Sequence, residues 1–106
     1  MLPRHSRLSR EGFDALMRAR KTSSSHFAIA HQENSLYSGC GVVVSKKVAR
    51  LAVSRHLIKR RIYSILKPFC TETRALAVFV RPGAKDLSFS EIEEELTALL
   101  KEARIS

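Results

Sequence analysis

One stretch of this chain carries positive charge with nothing to offset it. Residues 34 to 71 contain neither Asp nor Glu, whereas seven of residues 46 to 61 are Lys or Arg. A folded element with a single sign of charge repels itself, and the usual reason to keep it is a polyanion that neutralises it. Nucleic acid is the commonest such partner. We therefore expect a fold that holds one strongly basic element at its surface.

The spacing of apolar residues predicts that this element is a helix. Hydrophobic side chains recur on one side of a helix drawn over residues 47 to 66, and Pro68 ends it. The face expected to pack on a sheet comprises Val48, Leu51, Ala52, Ile58, Ile62, Ile65 and Leu66. The opposite face comprises Arg50, Arg60 and Arg61. Arg55 and Lys59 project within the apolar arc, so we expect them to reach an edge of the sheet, because a buried unpaired cation is costly.

The composition is that of one basic globular domain. The chain has 106 residues, of which 44% are hydrophobic, so a single domain over residues 1–106 can bury a core. Its formal net charge of +9 again favours a nucleic-acid partner. Cys40 and Cys70 have no paired metal-ligand spacing, and we expect buried, reduced thiols. The first residues lack an apolar signal segment and no apolar run could cross a bilayer, so we expect a cytoplasmic protein without a membrane partner.

The order of predicted elements indicates an α+β sandwich, in which helices cover a small sheet. A first helix begins at the N-cap Ser9 and ends near Arg20, and residues 21 to 25 form a loop. Strands over residues 26–33 and 40–45 are joined by turn residues 34–39 into an antiparallel hairpin. After the basic helix, a third strand covers residues 74–81. The last helix begins at Ser88, which forms a capping box with Glu91.

No arrangement of residues points to catalysis by the protein itself. The four His residues lack metal-ligand spacing, and the chain has no nucleophile elbow and no phosphate-binding glycine loop. His56 has no Cys or carboxylate near it in the sequence, so we expect a polar contact at the surface rather than a metal ligand. We predict neither catalytic residues nor metal ligands in the protein.

Several segments, taken in order, resemble the protein subunit of bacterial ribonuclease P. The segment GVVVSKKV at residues 41–48 and the segment AVSRHLIKRR at residues 52–61 resemble a strand end and a basic helix of that family. The basic leader before Phe13 and the segment VRPGA at residues 80–84 also fit, so the resemblance covers essentially the whole chain. The family's Arg-Asn-Arg reads Arg55-His56-Leu57 here, and a second aromatic residue of the first helix is replaced by Met17.

The resemblance implies a fold, a function and a set of binding residues. The fold is an α-β sandwich with a small mixed sheet of four strands and a left-handed βαβ crossover, as in the second domain of ribosomal protein S5. The function is to bind a catalytic RNA and the 5′ leader of precursor tRNA, and to assist endonucleolytic removal of that leader by an RNA that holds most of the Mg²⁺. The implied RNA-binding residues are Lys46, Lys47, Arg50, Arg55, His56, Lys59, Arg60 and Arg61. The implied groove for the leader comprises Phe13, Met17 and Phe27.

The resemblance further implies one protein bound to one catalytic RNA, with the protein itself monomeric. Two other classes stay open on the residues alone. A non-enzymatic RNA-binding protein of ribosomal type would use the same basic helix. A DNA-binding helix would need base-reading Asn or Gln, and residues 46 to 66 contain neither.

Overall fold

The computed structural model describes residues 8–33, 37–71 and 74–105. They form three helices and four strands in the order α1 (Arg10–Met17), β1 (Lys21–Ser23), β2 (Phe27–Glu33), β3 (Gly39–Val43), α2 (Ala52–Leu66), β4 (Arg74–Val80) and α3 (Phe89–Glu102). Two short 3₁₀ turns follow α2 and β4, at Lys67–Phe69 and Ala84–Asp86. The α+β class expected from the sequence is confirmed.

The four strands form one mixed sheet in the order β1-β2-β4-β3. β2 is antiparallel to both β1 and β4, whereas β3 runs parallel to β4 and reaches it through α2. The predicted antiparallel hairpin of residues 26–33 with 40–45 is therefore wrong. The physical reason lies in β4, whose residues from Ala75 to Val78 are at most 1% exposed. A strand that is apolar on both faces takes a central position, and here it separates β2 from β3.

Helices cover the two faces of the sheet unequally. On one face, α2 and α3 pack over the larger core, which includes Leu76 and Val78 of β4. On the other face, α1 packs over a smaller cluster that includes Ala75 and Ala77 of the same strand. Since successive side chains of a strand point to opposite faces, the apolar run of β4 serves both cores. The sheet is thus well covered on one side and only partly covered on the other.

Side-chain caps begin the first and last helices where they were predicted. Ser9 accepts a hydrogen bond from the backbone N–H of Gly12, at 3.1 Å, and caps α1. Ser88 and Glu91 form the reciprocal capping box of α3, with hydrogen bonds of 3.1 and 2.9 Å. Both predictions are confirmed. α1 nevertheless ends at Met17, earlier than expected.

Two segments differ from their predicted structure. Residues 21 to 25, expected as a loop, contain β1, which is short and polar and pairs with β2. The basic helix begins at Ala52 rather than at residue 47, because residues 45–51 leave β3 in turns that bury Val48 and Ala49. Leu51, assigned to the core by its helical position, is consequently 69% exposed. The predicted turn over residues 34–39 falls partly outside the described residues.

The two cysteines are paired, so the expectation of reduced thiols is wrong for this structure. Cys40 lies in β3 and Cys70 just after α2, and they form a disulfide with a Cα–Cα distance of 5.8 Å. The crossover explains their proximity, because α2 runs back along the sheet from the end of β3. No helix of the described ranges combines the length and hydrophobicity that crossing a membrane requires.

Candidate nucleic-acid interface

The cations of residues 46–61 lie on the turn after β3 and on α2, and we call them together the basic surface. It comprises Lys46, Lys47, Arg50, His56 and Arg60, which are exposed, and Arg55, Lys59 and Arg61, which are half-buried. The ion pairs seen in the described ranges involve none of these cations. Among the residues that the structure describes, no carboxylate therefore neutralises their charge through an ion pair.

Arg55 joins the two parts of the basic surface. Its Nη1 donates to the carbonyl oxygens of Ala49 and Arg50, at 3.0 and 2.8 Å. The side chain thus folds back over the turn before α2, which differs from the predicted position at an edge of the sheet. This contact fixes the turn that carries Lys46 and Lys47 relative to the helix that carries Arg60. We infer that Arg55 positions the other cations at least as much as it offers its own charge.

The start of α2 adds to the positive potential. Its N-cap residue, Leu51, makes no side-chain capping hydrogen bond, and its first turn has no acidic residue. The free N–H groups of a helix N-terminus carry partial positive charge and favour anions. Arg50, Ser54 and Lys85 line a shallow hollow beside this end of the helix. The potential of the basic surface is therefore strengthened where α2 begins.

The sheet face beneath α1 provides a second, apolar region. Phe13 of α1 is half-buried and its ring lies directly over Gly41 of β3. A Cβ at residue 41 would overlap this ring, so glycine is required there for the ring to approach the sheet. Met17, at the end of α1, is 58% exposed. The structure thus places Phe13 and Met17 of the predicted leader groove on the same, partly open side.

Phe27, the third residue predicted for the groove, lies elsewhere. It is fully buried in the core beneath α2 and α3, on the face of the sheet opposite Phe13. Its assignment to the groove is wrong. The alternation of β2 places Phe27 and Ile29 on the same side, and that side faces the larger core.

Three residues that were not predicted complete the open region. Phe79 of β4 is half-buried beside the α1 cluster, and it is paired in register with Val43 of β3, which is 39% exposed. Lys21 of β1 places its Nζ 5.3 Å from the centre of the Phe79 ring and donates to the carbonyl of Met17 at 3.2 Å. Reading β4 with a period of two would have found Phe79, since it follows Ala75 and Ala77 on one face. No sequence signal identified the short, polar β1.

We call the region formed by Phe13, Met17, Lys21, Val43 and Phe79 the open groove. It offers aromatic and aliphatic surface beside a cation, and Val43 is three residues before Lys46 of the basic surface. Apolar surface beside cations such as Lys21 can stack bases and hold phosphates, which are the two requirements of binding a single strand. Among the described residues, no cluster of His, Cys, Asp or Glu could hold a metal ion.

Comparison with known proteins gives a consistent result. The model of the Ribonuclease P family matches residues 2–104. The ribonuclease P protein component of Microcystis aeruginosa is 31% identical, over 98% of this chain and 95% of its own length. That of Pseudanabaena sp. is 29% identical, over 99% and 97%. The structure of a mutant of the Staphylococcus aureus RNase P protein superposes with a TM-score of 0.81 at 25% identity, covering 95% of this chain and 90% of that one.

Proposed function

This chain belongs to the family of ribonuclease P protein components, and from that premise we propose that it helps a catalytic RNA to remove the 5′ leader of precursor tRNA. The basic surface binds the catalytic RNA, and the open groove binds the single-stranded leader. The observation that carries this proposal is that the two regions meet along the chain, where Lys46 of the basic surface follows Val43 of the open groove by three residues. A substrate strand that leaves the groove past Val43 would reach Lys46 and Lys47.

The division of labour follows from the side chains on each surface. Lys and Arg neutralise phosphates and release counterions, which supplies affinity without selecting a sequence. Aromatic and aliphatic groups accept the face of any base, so the groove suits leaders of varied sequence. Mg²⁺ held mainly by the RNA would supply the hydrolytic chemistry. The protein binds, orients and neutralises, and none of its residues is proposed to act on the scissile bond.

We further propose that one protein molecule serves one RNA and that the complex works in the cytoplasm, where precursor tRNA is made in bacteria. The concentration of seven Lys and Arg residues within residues 46–61 supports the first point. The alternative, a non-enzymatic RNA-binding protein of ribosomal type, would share the basic surface but would have no use for a groove that distinguishes precursor from mature tRNA.

The test is cleavage of precursor tRNA by a bacterial ribonuclease P RNA with and without this chain. At low Mg²⁺ we expect the protein to increase cleavage strongly, because its cations replace part of the metal's electrostatic screening between the two RNAs. At high Mg²⁺ the difference should become small. Binding of the RNA without any stimulation of cleavage, at any Mg²⁺ concentration, would favour the ribosomal alternative.

A further inference from the structure

The outward face of α2 contains a shallow apolar hollow in the middle of the basic surface. Its volume is about 430 Å³, and its lining comprises Ala52, Val53, His56, Leu57 and Arg60. Val53 is 80% exposed and Leu57 is 44% exposed. Neither residue belongs to the core, although both are fully aliphatic.

Helix geometry explains why these two side chains meet. Residues four apart lie above one another on a helix, so Val53 and Leu57 form one apolar strip. Ile58 and Ile62 point to the other side of α2 and pack on the sheet. The strip therefore cannot be buried by any rotation of the helix that keeps its core face in place. Because the two side chains also line a hollow, the strip offers a contact surface to another molecule.

The charges around the hollow restrict what that molecule can be. Arg60 forms part of the wall, Arg61 follows it along α2, and no carboxylate occurs between residues 34 and 71. An occupant must therefore be anionic around its edge and apolar at its centre. An unstacked nucleotide has this combination, since its phosphates are charged and the face of its base is apolar. A regular duplex presents phosphates and groove edges, and it offers no free base face to an aliphatic strip.

We propose that this hollow binds an unstacked nucleobase of the RNA partner, a contact that rests on the proposed function and adds to it. The face of the base lies on Val53 and Leu57, and Arg60 contacts a phosphate next to it. The imidazole of His56, on the rim, supplies a hydrogen-bonding group to the edge of the base. The basic surface then reads one feature of RNA shape, an extruded nucleotide, in addition to holding phosphates.

The experiment separates apolar from ionic contributions through their response to salt. Binding of a bacterial ribonuclease P RNA is measured over a range of KCl for the protein and for three variants: V53S/L57S, R60A and F89S. For V53S/L57S we expect about tenfold weaker binding with an unchanged slope of log K against log salt, because no cation is lost. R60A should lower the slope by about 1. F89S is the control, because Phe89 of α3 is 40% exposed, close to the 44% of Leu57, and lies outside the hollow, so this variant should bind like the unmodified protein.

A second measurement identifies the base. Chemical probing of unpaired bases in the complex should show at least one nucleotide that the unmodified protein protects and V53S/L57S does not. Equal affinity and equal protection with V53S/L57S would overturn the proposal, as would a loss no larger than that of F89S. Sedimentation of the free proteins tests whether a second copy of the chain occupies the hollow instead. A dimer of the unmodified protein that the V53S/L57S substitutions dissociate would assign the strip to that second copy. If R60A still lowers the salt slope in that case, RNA binding by the basic surface stands and only the base contact fails.

Discussion

The phenolic hydroxyl of Tyr63 accepts a hydrogen bond from the backbone N–H of Val42, at 3.2 Å within the core. Val42 belongs to β3, an outer strand of the sheet, and Tyr63 belongs to α2. The bond therefore satisfies an N–H at a sheet edge and at the same time fixes the basic helix on the sheet. The position of the whole basic surface depends on contacts of this kind.

Removing that hydroxyl should destabilise the protein without changing its surface charge. Tyr63→Phe leaves a buried N–H without this acceptor, which costs about 1–3 kcal/mol. We expect a lower urea midpoint and faster hydrogen exchange at the Val42 amide. An unchanged midpoint together with unchanged exchange at Val42 would show that water or another group replaces the hydroxyl.

The disulfide makes stability depend on redox conditions. Cys40 and Cys70 are 30 residues apart, and closing a loop of that length stabilises a protein by about 3–4 kcal/mol in the chain-entropy description. A reductant should therefore lower the melting temperature of the oxidised protein. The reduced form remains compatible with the fold, because Sγ of Cys70 lies 3.2 Å from the carbonyl of Leu66, which can accept from its thiol.

Cys70→Ala is the control for this effect, because it cannot form the disulfide and should melt at one temperature with or without reductant. If the reductant also leaves the melting temperature of the mildly oxidised, unmodified protein unchanged, the two thiols do not pair in solution.

The stability should also fall at acidic pH through Glu95 of α3. Burial would raise the pKa of this carboxyl, but hydrogen bonds from the Ser24 hydroxyl and from the ring and backbone N–H of His26 outweigh it and lower the pKa below its ordinary value of 4.5. A lowered pKa in the folded state means that the carboxylate stabilises the fold above the ordinary pKa. That contribution disappears as the pH falls through the lower, folded-state value.

Glu95→Gln should accordingly reduce the free energy of unfolding at pH 7, and the difference from the unmodified protein should shrink toward pH 3. Glu94→Gln, an exposed neighbour on the same helix, changes the net charge equally and should have little effect at either pH. If the difference in unfolding free energy between Glu95→Gln and the unmodified protein stays constant from pH 7 to pH 3, the shape of the side chain rather than its charge matters at residue 95.

The sequence predicted best those features that depend on neighbouring residues. The caps at Ser9 and Ser88 are local, and both were found because the capping side chain lies within three residues of its partner. The pairing of strands depends on distant residues, and the hairpin prediction failed because nothing near Glu33 shows that β4 will lie beside it. The assignment of Phe27 to the leader groove was wrong for a related reason. An aromatic residue in a strand has two possible faces, and only the packing of α2 and α3 decides which one is buried.

Within the basic helix, one prediction from the sequence was confirmed and another was wrong. Arg60 and Arg61 lie away from the core, as the helical period predicts, since Ile58 and Ile62 fix the orientation of α2. Leu51 was misplaced because the helix begins later than its apolar pattern does. That pattern continues into the turn, where Val48 is buried by a different backbone path.

The basic surface should give RNA binding a strong salt dependence. If about five phosphates are neutralised, log K falls with log salt with a slope of about −4 to −5. Arg60→Ala with Arg61→Ala should reduce the steepness by about 2 and weaken binding about tenfold or more. The melting temperature should hold, because neither side chain is in the core. A sharp fall in melting temperature with unchanged affinity would place these residues in the fold rather than in the interface.

The open groove should distinguish precursor tRNA from mature tRNA through its aromatic rings. Phe79→Leu and Phe13→Leu keep apolar volume but remove a surface on which a base can stack, a contact worth about 1–3 kcal/mol per base. Each variant, bound to the ribonuclease P RNA, should lose several-fold affinity for precursor tRNA while its affinity for mature tRNA barely changes. Phe27→Leu is the matched control, because Phe27 is fully buried on the opposite face. It should lower the melting temperature yet leave the ratio of the two affinities unaltered. If Phe79→Leu and Phe13→Leu instead weaken both substrates equally, their rings only support the fold and the leader binds elsewhere.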